Sequence, residues 1–570
     1  MTCSFLKRWW ILAFFLVILI GNSLMIVKYH SEPASRHYFF GLEGLLDCKS
    51  VSTVFMAIAY LTALTVFSSF LFGGKIRALL GRNGDKKRLD LSLAVIAVLV
   101  VLSATSYFYV TRSACNYNYV KEWDTYHYIL GAKYFNELGY VRLYECTVLA
   151  NEELSGPIRS NPQVRDLSTY RYVSYNFITE NSVCKDYFSE NRWSEFKNDV
   201  NVFFRIKRSM WPGVLQDHGY HGTPVHTLFA KKLANSFELS YENMLYASLL
   251  DIALLFIMFY FVSKSFGWKT GFLFTILFCL NYPSRFLHIG GSFLRYFWMS
   301  ALVVGLCMLN ERRFRVSGVL LSLSSMLLVF PVVFTLGLGV KGIFGFLKTR
   351  TIPASYRVFF SYFTLTCVIL AVVSSLAGHG FSDWLEFKDQ MDLNAYRLSH
   401  HRIGFKYVFM PNDTVSQSVK LASFEEKQFA YYSSLALILV LAVLISTRVD
   451  DVDASILLGL TVFFTYFVTV RYYYMVLALL IILWRKKLDG RGGVCFTILL
   501  FLMMGFMFHT DKMLFQDMIF PHNSSAENQG FIYNTVATYL ISMYLMLAIA
   551  YLVFDVGLLN RKIFLEKISF

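Results

Sequence analysis

Residues 91–110 read Leu-Ser-Leu-Ala-Val-Ile-Ala-Val-Leu-Val-Val-Leu-Ser-Ala-Thr-Ser-Tyr-Phe-Tyr-Val, and Lys-Glu-Trp-Asp-Thr-Tyr-His-Tyr follows shortly at 121–128. About 20 uncharged, mostly apolar residues in helical form reach across the hydrocarbon of a bilayer. The polar and aromatic octet after them would then emerge at the membrane edge. This juxtaposition sets the expected fold: apolar helices crossing a membrane, with ionisable groups gathered where they end.

The rest of the chain extends the pattern. Of 570 residues 56% are hydrophobic and only 16% charged, against about 25% charged in soluble domains. A soluble globular protein and a disordered chain are both excluded on these grounds. The clearest apolar windows are 9–27, 52–72, 91–110, 245–263, 430–447 and 533–555. Further windows are 270–289, 293–309, 316–330, 331–347, 358–377, 454–470, 472–484 and 494–508. The expectation is an all-α polytopic membrane protein with 14 spans, within a range of 11 to 14. Phe330-Pro331 divides the 316–347 stretch into two short helices or one kinked one.

A formal net charge of +15 in a soluble protein would suggest nucleic acid; in a membrane protein it marks the cytoplasmic side. Lys75, Arg77, Arg82, Lys86, Lys87 and Arg88 crowd into the loop 74–90. Placing that loop inside also puts inside Lys7 and Arg8, the clusters near 264–269, 312–315, 348–357 and 485–491, and the basic tail. Both termini are thus expected in the cytoplasm, and no nucleic-acid partner is expected. The first span is read as a retained helix, since its apolar run is long for a signal peptide. Trp9, Trp10, Trp268 and Trp484 would anchor cytoplasmic boundaries.

The chain divides accordingly. Residues 1–110 carry three spans, 111–244 form an extracytoplasmic loop domain, and 245–377 carry more spans. Residues 378–429 form a second outer loop, and 430–570 carry the last spans with an outer loop at 509–532. Basic and acidic residues nearly cancel in the long loop. Helical periodicity there puts Tyr126, Ile129, Leu130, Phe135 and Leu138 on one face, and Trp193, Phe196, Val200, Phe203 and Phe204 on another. Such helices either lie on the membrane surface or pack on each other. Thr223-Pro224 reads as an N-cap followed by a first-position proline. Cys146 and Cys184 share the loop and could pair in an oxidising compartment. Asn412-Asp-Thr and Asn523-Ser-Ser match the glycosylation acceptor pattern and fall on the outer side.

No Walker loop, GxSxG elbow or HExxH helix is present in the sequence, which leaves a cytoplasmic ATP-driven machine unsupported. Candidate chemistry collects on the outer face. Glu122 and Asp124, with His127 and Tyr128 behind them, could act on a hydroxyl as general base; Asp124 also stands where a helix N-cap would stand. Asp217, His218 and His221 fall in a glycine-punctuated turn suited to hydroxyl or metal binding, or simply to a polar turn before a helix. Arg295 follows Gly290-Gly291 just inside a helix start, where free N–H groups and a guanidinium favour phosphate; a snorkelling arginine is the plain alternative. Arg397, His400, His401 and Arg402 make an unusually basic outer loop, and Arg471 precedes Tyr472-Tyr-Tyr near the lipid boundary.

The Glu-Trp-Asp-x-Tyr-His-Tyr, Asp-His-Gly-Tyr and Gly-Gly-Ser-Phe-Leu-Arg runs, in this layout, resemble the GT-C superfamily of polytopic glycosyltransferases, in an uncharacterised bacterial-type branch. The resemblance implies a polyprenyl-phosphate-linked sugar as donor and a glycan, lipid or protein acceptor. It implies Asp124 as the base, Glu122 beside it, Asp217 as second acidic partner, and the Arg397–Arg402 stretch as a seat for lipid phosphate. A divalent metal stays open, and the expected location is a bacterial inner membrane with the active site extracytoplasmic. The family usually places its catalytic loop after the first span; here it follows the third. The alternative reading is a polytopic transporter or a lipid or glycan flippase, which would carry ionisable groups at mid-membrane.

Overall fold

The computed structural model describes residues 2–31, 48–71, 84–111, 118–156, 163–395, 398–399, 401–411, 415–515 and 526–558. Arg397, His400 and the two Asn-x-Ser/Thr triplets lie outside these residues. Within them the protein is built of helices, with two short two-stranded ladders. Nine helices are long and apolar enough to cross a membrane among the described residues, beginning with Trp9–Lys28, Ser50–Leu71 and Ser92–Val110. A tenth is reached if Trp268–Cys279 and Tyr282–Ile289, bent by 65°, count as one span.

Among the described residues this falls short of the expected 14 spans. The windows at 293–309 and 316–330 do form apolar helices, Phe297–Asn310 and Phe314–Leu327. Each has 14 residues, and at about 1.5 Å per residue that falls well short of the roughly 30 Å hydrocarbon. The second window ends where expected: helix Phe314–Leu327 stops before Phe330-Pro331, and a tight turn of helix, Phe330–Thr335, leads into Leu336–Thr349.

Short pieces are tolerated because they are covered by protein. Irregular backbone at membrane depth must find its hydrogen bonds within the fold. The break after Cys279 does so: Asn281 Nδ2 donates to the Tyr474 carbonyl at 2.8 Å. Tyr474 itself lies in a second irregular stretch, Arg471–Ala478, which packs on the first. Longer helices flank these. Cys48–Leu71 runs along Arg491–Phe515, with Phe55 stacked on Phe508 at 5.0 Å. Trp484 is not an interfacial anchor: it is fully buried, donates to Tyr544 at 2.7 Å and stacks on Phe496. Trp9 is half exposed, as an anchor would be.

Between the third span and Tyr241–Phe266 the chain folds into short helices and a two-stranded ladder pairing Gln163–Arg165 with Tyr172–Ser174. The helix Glu190–Ile206 buries Trp193, Phe196, Val200 and Phe203. It packs on the 122–138 segment, with Phe196 5.0 Å from Tyr134 and Phe203 5.7 Å from Tyr126. Asp199 ties the two together, accepting from Lys133 Nζ and Tyr134 Oη at 2.7 Å each. These two helices thus pack on each other. The segment from Tyr126 is buried all round, since Tyr128, Ala132 and Lys133 are covered as well as the expected face. Thr223 caps its helix by accepting from the His226 N–H at 3.0 Å.

Cys146 and Cys184 form a disulfide, with their Cα atoms 5.4 Å apart and a sequence separation of 38. Closing a loop of that size restricts the unfolded chain. Thiol labelling of the unfolded protein should leave both cysteines unmodified until a reductant is added. Cys146→Ser should lower stability by about 2–4 kcal/mol in a detergent unfolding assay. Labelling of both thiols without reductant would contradict the pairing.

Candidate functional site

The site begins with a clasp. Gly290–Arg295 crosses between the bent span and the helix Phe297–Asn310, and its turn needs two left-handed residues, Gly291 at φ +70° and Leu294 at φ +55°. At Gly291 a side chain is excluded outright, since a Cβ would sit 1.8 Å from the Tyr119 carbonyl oxygen. On one side the Gly291 carbonyl accepts the Lys121 N–H at 2.9 Å. On the other, buried Asp251 of the helix Tyr241–Phe266 accepts the N–H groups of Arg295 and Tyr296 at 3.1 and 3.3 Å. The helix proper starts at Phe297. Arg295 therefore precedes the helix instead of lying inside it, and these two N–H groups belong to Asp251 and not to a ligand.

The clasp aims the Arg295 guanidinium across the Tyr128 ring, 3.9 Å from its centre, and lets Nη2 donate to Tyr472 Oη at 3.1 Å. Arg295 is only 7% exposed, and its Nε has no hydrogen-bond partner among the described residues. A buried guanidinium with a spare donor is a ready receptor for an oxyanion.

The octet at 121–128 docks against this turn. Lys121 Nζ donates to the His288 carbonyl and ion-pairs with Asp124 at 2.5 Å. Lys121, not Asp124, occupies the N-cap position of the short helix Glu122–Thr125; Asp124 stands within its first turn. Glu122 is buried and accepts from Asn118 at 2.6 Å. A wider π-helical turn, Tyr126–Leu130, follows, a geometry that re-aims side chains at functional sites. There His127 contacts the Trp123 carbonyl through Nδ1 at 2.8 Å and Tyr144 Oη through Nε2 at 2.7 Å. Both ring nitrogens are spent on the protein, so His127 is a positioning residue.

Trp123 joins the octet to the 216–221 turn. Its indole N–H donates to Asp217 Oδ2 at 2.5 Å, and its ring fills the space over Gly213 where a Cβ would collide. The turn is held from beneath by Arg165, which donates through Nε to the Gln216 and Asp217 carbonyls at 3.0 and 2.7 Å. Gly219, at φ +84°, donates its N–H to Tyr144 Oη at 2.9 Å. His218 stacks on Tyr170, whose hydroxyl lies 3.0 Å from His221 Nε2.

Burial sets the ionisation of this quarter. It holds the His127 imidazole below its usual range and, with His218 nearby, pushes His221 down to about 3. Burial would raise the Asp217 carboxyl, but the histidines around it and the Trp123 N–H bring it below its ordinary value.

The last wall comes from the second loop. Arg402 and Ile403 pair antiparallel with Val470 and Thr469, and the Arg471 N–H donates to the His401 carbonyl at 2.8 Å. Arg402 reaches the Asn394 carbonyl and Oδ1 at 2.8 Å each. Arg471 Nη2 comes within 3.4 Å of His288 Nδ1.

The side chains of these segments enclose one cavity of about 1100 Å³. Glu122, Asp124, His127, Tyr128, Asp217, His218, His221, Arg295, His401, Arg402 and Arg471 line it, which is every proposed site residue among those described. Sequence reasoning passed over Lys121, Arg165, His288 and Tyr472, which line it too. Lys121 and Tyr472 stood inside motifs already singled out, whereas Arg165 carried no local signal. No cluster of three or more His, Cys, Asp or Glu arranged to hold a metal occurs among the described residues. The cavity instead combines both signs of charge, six Lys and Arg with three Asp and Glu.

Trp123→Phe keeps an aromatic ring and removes the indole N–H donor. The pH at which Asp217 protonates should rise, read by infrared difference spectroscopy of the carboxyl band. An unchanged value would mean that the indole N–H does not hold the carboxylate.

No protein-family model, curated protein or solved structure matches this chain, so the reading of the cavity rests on its own residues.

Proposed function

We propose that this integral membrane protein is a GT-C-like glycosyltransferase that moves a sugar from a polyprenyl-phosphate-linked donor to an acceptor hydroxyl on the extracytoplasmic side. The observation that carries the reading is the cavity, whose lining combines Asp124 and Asp217 with Arg295 and Arg471 in a fold of apolar helices. A lipid-linked donor needs its chain in the bilayer and its head in a polar cleft, and a cleft at the membrane edge meets both needs.

The carboxylates differ in what they have left to offer. Asp217 already accepts the Trp123 indole N–H and is held in the ionised form. Glu122 is buried against Asn118. Asp124 is partly open to the cavity, with Lys121 as its ion-pair partner. Asp124 is therefore the base: it takes the acceptor hydroxyl proton as that oxygen attacks the anomeric carbon. The new bond forms as the bond from that carbon to the phosphate oxygen breaks, and its electron pair leaves on the phosphate. The Arg295 guanidinium answers that growing charge in a site largely withdrawn from water, where such donors count most. Asp217 and Trp123 position the octet, and no nucleotide is needed.

The Cys146–Cys184 disulfide supports an oxidising, extracytoplasmic compartment for this end of the molecule. The acceptor is a glycan, lipid or protein, and the membrane is a bacterial inner membrane.

Asp124→Asn is isosteric and removes the carboxylate charge, and with it the basicity and the Lys121 ion pair. In membranes supplied with lipid-linked sugars it should lower transfer by at least about 100-fold while expression and topology stay as in the parent. Transfer within a few fold of the parent would reject Asp124 as the base.

A further inference from the structure

We propose that the anion this cavity takes is a lipid diphosphate, with one phosphoryl group on Arg295 and the other on Arg471. The inference rests on the glycosyltransferase reading above and narrows its donor to the diphosphate-linked class.

The cavity has two separate cationic seats. The first is Arg295, clamped between Tyr128 and Tyr472 with its Nε spare. The second is built round His288. Arg471 Nη2 lies 3.4 Å from its Nδ1, Arg285 Nε lies 3.4 Å from its Nε2, and Lys121 holds its carbonyl. A neutral imidazole has one acceptor nitrogen and one N–H; a protonated one has two N–H groups. With a guanidinium N–H facing each nitrogen, one contact must set donor against donor. Such an arrangement is completed by an anion that draws one guanidinium away.

Charge bookkeeping identifies which. Arg285 is answered by Asp511 at 3.1 Å and Lys121 by Asp124 at 2.5 Å. Arg471 makes no ion pair with a carboxylate among the described residues. Both seats line the one cavity, and Arg471 directly precedes Tyr472, whose Oη accepts from Arg295. A single phosphoryl group fills one seat and leaves Arg471 unanswered. A second, linked phosphoryl group answers both. The cavity of about 1100 Å³ exceeds the usual 300–1,000 Å³ of a site for one small ligand, which leaves room for a sugar beside the paired phosphates.

The test is isothermal titration of the full-length protein in detergent micelles with farnesyl diphosphate and farnesyl phosphate. The diphosphate should bind at least about 10-fold more tightly, the yield of one charge-assisted contact. Arg471→Gln should bring the ratio of the two affinities towards one, Arg471→Lys should retain part of it, and Arg295→Gln should weaken both ligands. Equal affinities in the parent protein, with both lost in Arg295→Gln, would overturn the diphosphate and leave the transferase reading standing. Binding of neither ligand to folded protein would overturn both. Inorganic pyrophosphate binding as tightly as farnesyl diphosphate would contradict the lipid-linked class.

Discussion

Asp251 is the fixed point of the structure. It sits in the middle of a long apolar helix, fully covered, and takes the two N–H groups that open the turn after Arg295. A buried carboxylate is costly unless its oxygens are satisfied, so the turn and the helix must come together. From that contact the rest follows: the turn presents its Gly291 carbonyl to Lys121, the octet docks, Trp123 reaches Asp217, and the guanidinium of Arg295 lies across Tyr128. Each link is local, yet the links join four stretches far apart in sequence.

The resulting cavity separates two kinds of work. On the 121–128 and 216–221 side, indole, hydroxyl and backbone groups consume the valences of His127 and hold Asp217 ionised. On the 285–295 and 471–472 side, cations are left with less protein to neutralise them. An acid–base group and an anion receptor placed across one cleft are what group transfer from a phosphate ester requires, since proton removal and leaving-group stabilisation act at opposite ends of the reacting centre. The proposed function reads this division directly from the side chains.

Much of the arrangement was legible in the sequence, for a physical reason. The octet after the third span, the glycine turn at 290–291 and the Asp217–His221 turn are short motifs whose polarity conflicts with their apolar surroundings, and such conflict marks function. Arg165 gave no such signal, because its work is long-range: it holds the Gln216 and Asp217 carbonyls from a strand some 50 residues away in sequence. His288 and Lys121 acquire their meaning only when the turn folds onto the octet. The contacts of His127 were hidden for the same reason, since Tyr144 and Trp123 meet its nitrogens only in the fold. The expected span count exceeds the nine or ten found among the described residues, because apolar composition cannot tell a crossing helix from a 14-residue piece such as Phe314–Leu327. Trp484 erred similarly: an aromatic beside a basic cluster suggests an interface, but its indole N–H had a buried partner in Tyr544.

The central claim is that one cavity holds a lipid-linked sugar with its phosphate on the cationic wall and its anomeric carbon facing Asp124. An electron cryomicroscopy structure of the protein in a lipid nanodisc, with a polyprenyl-phosphate-linked sugar bound, tests this most directly. The account predicts a phosphoryl group within hydrogen-bond distance of Arg295, the sugar between it and Asp124, and the chain leaving sideways into lipid. A donor bound on another surface, or a sugar lodged in a polar path through the membrane midplane, would contradict it.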